Sequence, residues 1–132
     1  MTSKVTYLGD LRTSCVHLAS GKSILTDAPT DNFGKGETFS PTDLVATALA
    51  SCMLTIIGIY CQNQGINFQS GTIDVEKIMA TNPRRIQKIR LNIDLNENNW
   101  DEPTLKKVIA VGKACPIAKT LDEKVEMEFN FM

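Results

Sequence analysis

Residues 40–60 have the sequence SPTDLVATALASCMLTIIGIY, and this stretch decides the fold. It opens with a serine N-cap, a proline at the first helical position and an acid that completes a capping box. No charged residue follows between Leu44 and Tyr60. The pattern predicts one long apolar helix that runs to about Gln64 and stops at Gly65.

A helix of this kind has two interpretations, a membrane span or a buried core helix. The run lies at the short edge of the spanning range, contains Thr47, Ser51 and Thr55, and has no Lys/Arg cluster beside it. We therefore expect a core helix, buried on nearly all sides, and no membrane. Because one small sheet covers only one side of such a helix, the sequence also predicts a homodimer whose second subunit covers the other.

The flanking segments predict short strands and helices around this central element. Strands are expected at 4–8, 13–18 and 23–26, followed by a long loop over 27–39. After the helix come two longer strands reversing at 82–83, a helix from about 101, a short helix over 116–121 and a last strand. The order predicts an α+β fold, with antiparallel sheets packed on the central helix, as a single domain over residues 1–132.

Composition excludes several classes of function. The 14 basic and 15 acidic residues give no electrostatic basis for binding nucleic acid or an anionic membrane. The first residues are strand-like and lack the apolar core of a signal peptide, so we expect a cytoplasmic protein with free thiols.

Two of the four cysteines occupy unusual positions. Cys52 lies within the apolar helix, where a thiol is normally inert, and Cys115 precedes a proline at a helix start, where a thiol is normally acidified. Local chemistry alone makes Cys115 a nucleophile and Cys52 its partner. Cys61 lies on the opposite helix face from Cys52, at about 100° per residue, so Cys61 and Cys15 are expected to be structural thiols.

Two further side chains are candidates for such a site. Arg12, at a strand boundary, is either a solvated turn charge or the permanent cation that a buried thiolate needs. His17, the only histidine, shares a strand face with Cys15. Two ligands are too few for zinc, so His17 is either a half-buried sheet residue or a site residue.

Four segments together resemble the family of osmotically inducible protein C (OsmC) and the organic hydroperoxide resistance (Ohr) proteins. They are residues 40–44 (SPTDL), 48–52 (ALASC), 114–116 (ACP) and 9–12 (GDLR). The resemblance implies an OsmC-like fold and an intertwined homodimer with active sites at the subunit interface. It also implies that Cys52 is the peroxidatic thiol, Cys115 the resolving thiol and Arg12 the cation that stabilises the thiolate, which reverses the roles expected from local chemistry.

The resemblance further implies a reaction. The Cys52 thiolate would attack the O–O bond of a small apolar organic hydroperoxide, and Cys115 would then close a disulfide. An external dithiol reductant would restore the enzyme, and no metal, haem or flavin is expected. The context would be defence against oxidative or osmotic stress.

One position departs from the family pattern. Peroxide-specialised members carry a glutamate directly after the proline of the helix start, and this chain has Thr42 there, with Asp43 one residue later. A shift of one residue rotates a side chain by about 100°, so Asp43 need not reach Arg12. Glu37, in the preceding loop, could substitute. Two alternatives to the peroxidase therefore stay open: a non-catalytic dimeric protein that binds a small ligand, and a thiol enzyme acting on another electrophile.

Overall fold

The predicted central helix is present as α1, Pro41–Gln64, in the computed structural model, which describes residues 1–132. At its start, the Ser40 N–H donates to Asp43 Oδ2 (2.9 Å) and the Asp43 N–H donates to Ser40 Oγ (3.1 Å), which is a capping box. At its end, Gly65 has a φ of 67° and the Ile66 N–H donates to the Cys61 carbonyl (2.8 Å). This Schellman arrangement needs a left-handed residue, which explains the glycine. Both predicted helix limits are confirmed.

The chain divides into two compact units, residues 1–45 and residues 46–132, with the boundary inside α1. The N-terminal unit contains strands β1 (Ser3–Gly9), β2 (Arg12–His17) and β3 (Ser23–Asp27). They form an antiparallel sheet in the order β1-β2-β3, in which Arg12 lies opposite Asp27.

The loop after β3 folds back on the end of that strand. The Ala28 carbonyl accepts a hydrogen bond from the Gly36 N–H (3.3 Å), and a Cβ at Gly34 would lie 1.7 Å from the same oxygen. Only glycine permits so close an approach. The loop thereby stays beside Asp27.

The C-terminal unit contains strands β4 (Thr72–Ala80), β5 (Arg85–Asp94) and β6 (Glu126–Phe131) and helices α2 (Glu102–Lys113) and α3 (Pro116–Leu121). The fold is α+β, as predicted, and β4 pairs antiparallel with β5. The expectation of purely antiparallel sheets is wrong at one pairing, because β6 lies parallel to β5. The chain leaves β5 and returns through α2 and α3, a helical crossover of the kind that parallel neighbours require.

The core of the C-terminal unit lies between one stripe of α1 and the inner face of β5. The stripe consists of side chains at helical spacing: Ala46, Leu49, Ala50, Met53, Ile57 and Cys61. The facing side chains of β5 are Ile89, Leu91 and Ile93, all fully buried. Within this chain α1 is buried along that stripe only, and Ile59 is 50% exposed. This agrees with the expectation that one small sheet covers only one side of the helix, whereas cover of the other side by a second subunit stays a prediction. One small sheet and its helices cover one side of α1.

The length and composition of α1 alone would allow it to cross a membrane. Its mean hydropathy reaches 2.1 over an 18-residue window, of which 33% is buried within the protein. Core helices of soluble proteins meet the same criterion, and the buried stripe of α1 packs against β5.

A glycine allows α2 to approach α1 closely. A Cβ at Gly112 would lie 2.9 Å from both Ile57 Cδ1 and Met53 Cε, and 3.0 Å from Met53 Cγ. Met53 and Ile57 are themselves fully buried, so neither can move aside into open space. The C-terminal end of α2 can therefore lie this close to α1 only because Gly112 has no side chain.

The outer face of the C-terminal sheet carries an ion-pair network. Arg90 lies between Glu76 on β4 and Glu128 on β6, contacting both, and Lys88 also pairs with Glu128. Hydrogen bonding from Lys88 is the main cause that lowers the pKa of Glu128 to about 2, with Asn130 and Arg90 contributing. The network joins all three strands across the parallel pairing.

We predict that Gly112→Ala makes the protein less stable than Gly58→Ala. Both glycines lie within helices, so alanine should stabilise each by about 0.5–1 kcal/mol through helix propensity. A Cβ at Gly58 has its nearest neighbour, Phe68 Cδ2, at 4.0 Å, whereas one at Gly112 overpacks the core. Overpacking should cost about 1–3 kcal/mol. Urea unfolding followed by circular dichroism measures the difference, and equal stabilisation by both substitutions would contradict the close approach of α2.

We predict that Glu128→Gln removes part of the acid sensitivity of the fold. The pKa of Glu128 is lowered on folding from the usual 4.5 to about 2, so its stabilising effect is complete above pH 4.5 and is lost as the pH falls towards 2. The difference in unfolding free energy between wild type and variant should therefore shrink over that window.

Glu102→Gln is the matched control, because the Glu102–Lys106 pair is exposed and contributes little. Urea titrations at several pH values measure all three proteins. A wild-type-to-Glu128→Gln difference that stays constant from pH 6 to pH 2 would rule out the network as its source.

Candidate functional site

The fold brings Cys52 of α1 and Cys115 together. Cys52 is close enough to Cys115 to contribute to its pKa, and both thiols are free. Cys52 is half-buried and packs against the core, whereas Cys115 is 0% exposed. The two members of the pair therefore differ in their burial.

Cys115 is held by the junction between α2 and α3. Its N–H donates to the Gly112 carbonyl (3.2 Å), and as the N-cap of α3 its Sγ accepts from the Ala118 N–H (3.5 Å). Gly112, which lets α2 approach α1, thus also anchors the backbone of Cys115.

The expectation that the helix start acidifies Cys115 is wrong. Burial raises the pKa of the Cys115 thiol, and the neighbouring Cys52 thiol raises it further. The Ala118 N–H acts in the expected direction and lowers the pKa, but it offsets the burial only in part. Moving a thiolate from water into the core costs more free energy than hydrogen bonds from one or two backbone amides at the start of a short helix return.

Arg12 lies at the centre of a second cluster, in the N-terminal unit. Its Nε donates to Asp27 Oδ1 (2.6 Å), and its Nη2 donates to Asp27 Oδ2 (3.0 Å) and to Glu37 Oε2 (3.0 Å). These bonds raise the pKa of Arg12 and lower that of Asp27. Glu37, which the sequence offered as a possible substitute for the family glutamate, contacts Arg12, and its role in a site stays a prediction.

Sequence reasoning missed Asp27, the principal partner of Arg12. The available signal was the strand pairing, since β2 and β3 are joined by a short turn and their register places Arg12 opposite Asp27. Asp27 lies at the end of a strand and the start of a loop, and its spacing from Arg12 in the sequence does not by itself predict that the two residues pair. Asp27 is only 2% exposed.

The remaining candidates occupy local roles at the helix start and in a turn. Asp43 completes the capping box, and the Thr42 hydroxyl bonds with the Ser40 hydroxyl (3.2 Å). His17 Nδ1 bonds with Ser20 Oγ (2.7 Å) in the turn after β2, and His17 and Cys15 line a cavity of about 280 Å³. No group of three or more His, Cys, Asp or Glu side chains is arranged to hold a metal ion.

Comparison with solved structures gave matches over the whole chain. A protein of Psychrobacter arcticus 273-4, provisionally described as an osmotic stress induced and detoxification response protein, is 48% identical, with a TM-score of 0.93 over 100% of this chain and 96% of that one. No match was found among curated proteins.

Two more distant structures share the fold. The organic hydroperoxide resistance protein OsmC of Legionella pneumophila is 15% identical, with a TM-score of 0.77 over 99% of this chain and 96% of that one. The organic hydroperoxide resistance protein OhrB of Bacillus subtilis is 17% identical, with a TM-score of 0.73 over 100% and 98%.

The family comparison covers most of the chain, including both cysteines of the pair. Residues 34–130 match the profile of the OsmC-like protein family. Together with the 48% identity over the full length of a relative, this match shows that the chain belongs to the OsmC-like protein family.

Proposed function

We propose that this protein is a thiol-dependent peroxidase that reduces organic hydroperoxides through Cys52 and Cys115, in defence against oxidative or osmotic stress. The observation that carries the proposal is the pair of free, neighbouring thiols, of which Cys52 is half-buried and Cys115 is fully buried. Membership of a family that includes proteins named for organic hydroperoxide resistance supports a stress-related redox role.

The different surroundings of the two thiols support different roles. Cys52 is the half-buried member, so a hydroperoxide can reach its sulfur first. Cys115 has a raised pKa and no exposed surface, which disfavours it as the first nucleophile and suits it to act second. These roles agree with those implied by the family resemblance.

The proposed reaction has three balanced steps. The Cys52 thiolate attacks the O–O bond of the hydroperoxide, the alkoxide takes up a proton and leaves as alcohol, and Cys52 becomes a sulfenic acid. The Cys115 sulfur then attacks that sulfenic acid and forms the Cys52–Cys115 disulfide with loss of water. An external dithiol reduces the disulfide through exchange and is itself oxidised, so no resident cofactor takes part.

Arg12 is proposed as the cation that favours the Cys52 thiolate, because a guanidinium stays charged at all physiological pH values. We also propose a cytoplasmic homodimer with its active sites at the subunit interface. One face of the N-terminal sheet supports a second subunit, since Val5, Tyr7 and Ile24 are 61%, 65% and 50% exposed there. Site roles for Thr42, Asp43 and His17 stay predictions.

Thr42 favours a second candidate function. The family glutamate that follows the proline is absent, and Thr42 bonds with the helix cap. A chain that has lost peroxidase chemistry would keep the fold as a binding protein for a small ligand, or would direct the thiol at another electrophile. Reactivity of Cys52 towards hydroperoxides separates these functions.

We predict that cumene hydroperoxide, at one equivalent, removes two hydrogens from the wild-type mass by forming the Cys52–Cys115 disulfide. Cys52→Ser should give no rapid change, because the attacking sulfur is missing. Cys115→Ser should gain one oxygen per subunit and then stall, because the sulfenic acid has no resolving thiol. Intact-mass spectrometry of the reduced proteins measures all three outcomes, and hydrogen peroxide in parallel should react more slowly.

Cys61→Ser and Cys15→Ser are the matched controls for loss of a thiol and should react like the wild type. An unchanged wild-type mass, or slow oxidation scattered over all four cysteines, would refute the peroxidase and leave the ligand-binding candidate. Equal loss of the first oxidation in Cys52→Ser and Cys115→Ser would refute the assignment of roles.

A further inference from the structure

The sulfur of Cys115 has two roles within the C-terminal unit. It belongs to one of the two neighbouring thiols, and it is also the N-cap acceptor of α3, because the Ala118 N–H donates to it (3.5 Å). The Ile117 amide, like that of Ala118, lowers the pKa of this thiol. A change in the bonding of the sulfur therefore acts directly on the first turn of α3.

The helix that this sulfur caps is too short to be stable on its own. α3 has six residues, about half of what an isolated helix needs, and only Ala118 is fully buried. Ile117 and Leu121 are partly buried against the core. Directly after the helix, Glu123 has a φ of 68°, a left-handed conformation that favours glycine, so the C-terminal end has no glycine cap. The order of α3 therefore depends on its N-cap.

The chain on the other side of Cys115 is fixed. The Cys115 N–H donates to the Gly112 carbonyl (3.2 Å), and Gly112 packs against the fully buried Met53 and Ile57. Cys52 lies in the middle of α1, with helical turns on both sides. If the two sulfurs must come closer together, the start of α3 can yield, whereas α1 and the end of α2 resist displacement.

Formation of a Cys52–Cys115 disulfide changes both the position and the chemistry of the capping sulfur. The two thiols lose their hydrogens and two electrons, which the hydroperoxide takes up in the proposed reaction as it becomes alcohol and water. The sulfurs must move to covalent distance in a specific geometry, which redirects Cys115 Sγ away from its present partner. Sulfur is already a weak acceptor, so a poorly directed bond with the Ala118 N–H contributes little.

We propose that α3 is a redox-responsive segment, whose first turn loosens when the Cys52–Cys115 disulfide forms because Cys115 Sγ then no longer caps it. The inference deepens the proposed function and rests on it only for the disulfide, which a chemical oxidant can also form. In the reduced protein α3 is ordered beside a buried thiol. In the oxidised protein the backbone next to that sulfur opens, and reduction by a dithiol restores the cap.

The test compares amide hydrogen exchange in the reduced protein with exchange in the protein oxidised by diamide, a thiol oxidant that requires no peroxidase activity. Peptide mapping first verifies the Cys52–Cys115 linkage. Peptides covering residues 116–124 should exchange at least about fivefold faster after oxidation, because the Ala118 amide has lost its acceptor. A crosslink that acted only as a structural restraint would have the opposite effect and would slow exchange in α3 as it does in β5.

Two variants separate loss of the acceptor from formation of the crosslink. Cys115→Ala removes the acceptor without a disulfide, so α3 should exchange faster in this variant than in the reduced wild type. Cys115→Ser is the matched control, because a serine hydroxyl is a good N-cap acceptor and forms no disulfide. Its α3 should exchange slowly with and without diamide. Thermal melts show which variants fold, and the wild-type comparison requires neither of them.

Three results would overturn the inference. They are unchanged or slower exchange in α3 after oxidation, equally slow exchange in Cys115→Ala and Cys115→Ser, and failure of diamide to link Cys52 to Cys115. The proposed function can fail separately. A wild type that is inert to cumene hydroperoxide rejects the peroxidase, while its diamide-oxidised form still decides the behaviour of α3.

Discussion

The close packing of α2 against α1 at Gly112 is the constraint on which the thiol pair depends. A side chain at Gly112 would meet Met53 and Ile57, and the neighbour of Met53 in sequence is Cys52. The Gly112 carbonyl also accepts from the Cys115 N–H. Gly112 thus allows the two helices to pack closely and anchors the backbone of Cys115, so core packing brings the two thiols near each other.

Burial, and not the helix start, decides the chemical difference between the two thiols. A helix N-terminus lowers a thiol pKa only when the thiolate can still be solvated or paired. At Cys115 the surroundings are the apolar core, and the backbone amides of Ala118 (3.5 Å from the sulfur) and Ile117 compensate only in part. The order of reaction that we propose, Cys52 first and Cys115 second, rests on this difference in burial.

Local signals in the sequence were sufficient to predict the helices and strands, but not which of them pair with each other. The limits of α1 follow from a serine cap and Gly65, because capping and the left-handed turn are properties of adjacent residues. The parallel β5–β6 pairing, the burial of Cys115 and the Arg12–Asp27 contact each depend on which distant segments meet. Periodicity states which face of a strand is apolar, but it does not state which strand lies beside it.

Arg12 takes its principal partner, Asp27, from the neighbouring strand of its own sheet. A guanidinium that stabilises a thiolate needs a fixed orientation. An anion can fix that orientation if it leaves some of the N–H groups of the guanidinium available. When that anion sits on a helix start, the orientation of the arginine follows the first turn of the helix. Here Asp27 sits on β3, directly across the ladder from Arg12, and its loop contacts are backbone hydrogen bonds. The orientation of Arg12 is thus set within the N-terminal sheet, while Thr42 and Asp43 take part in the cap of α1.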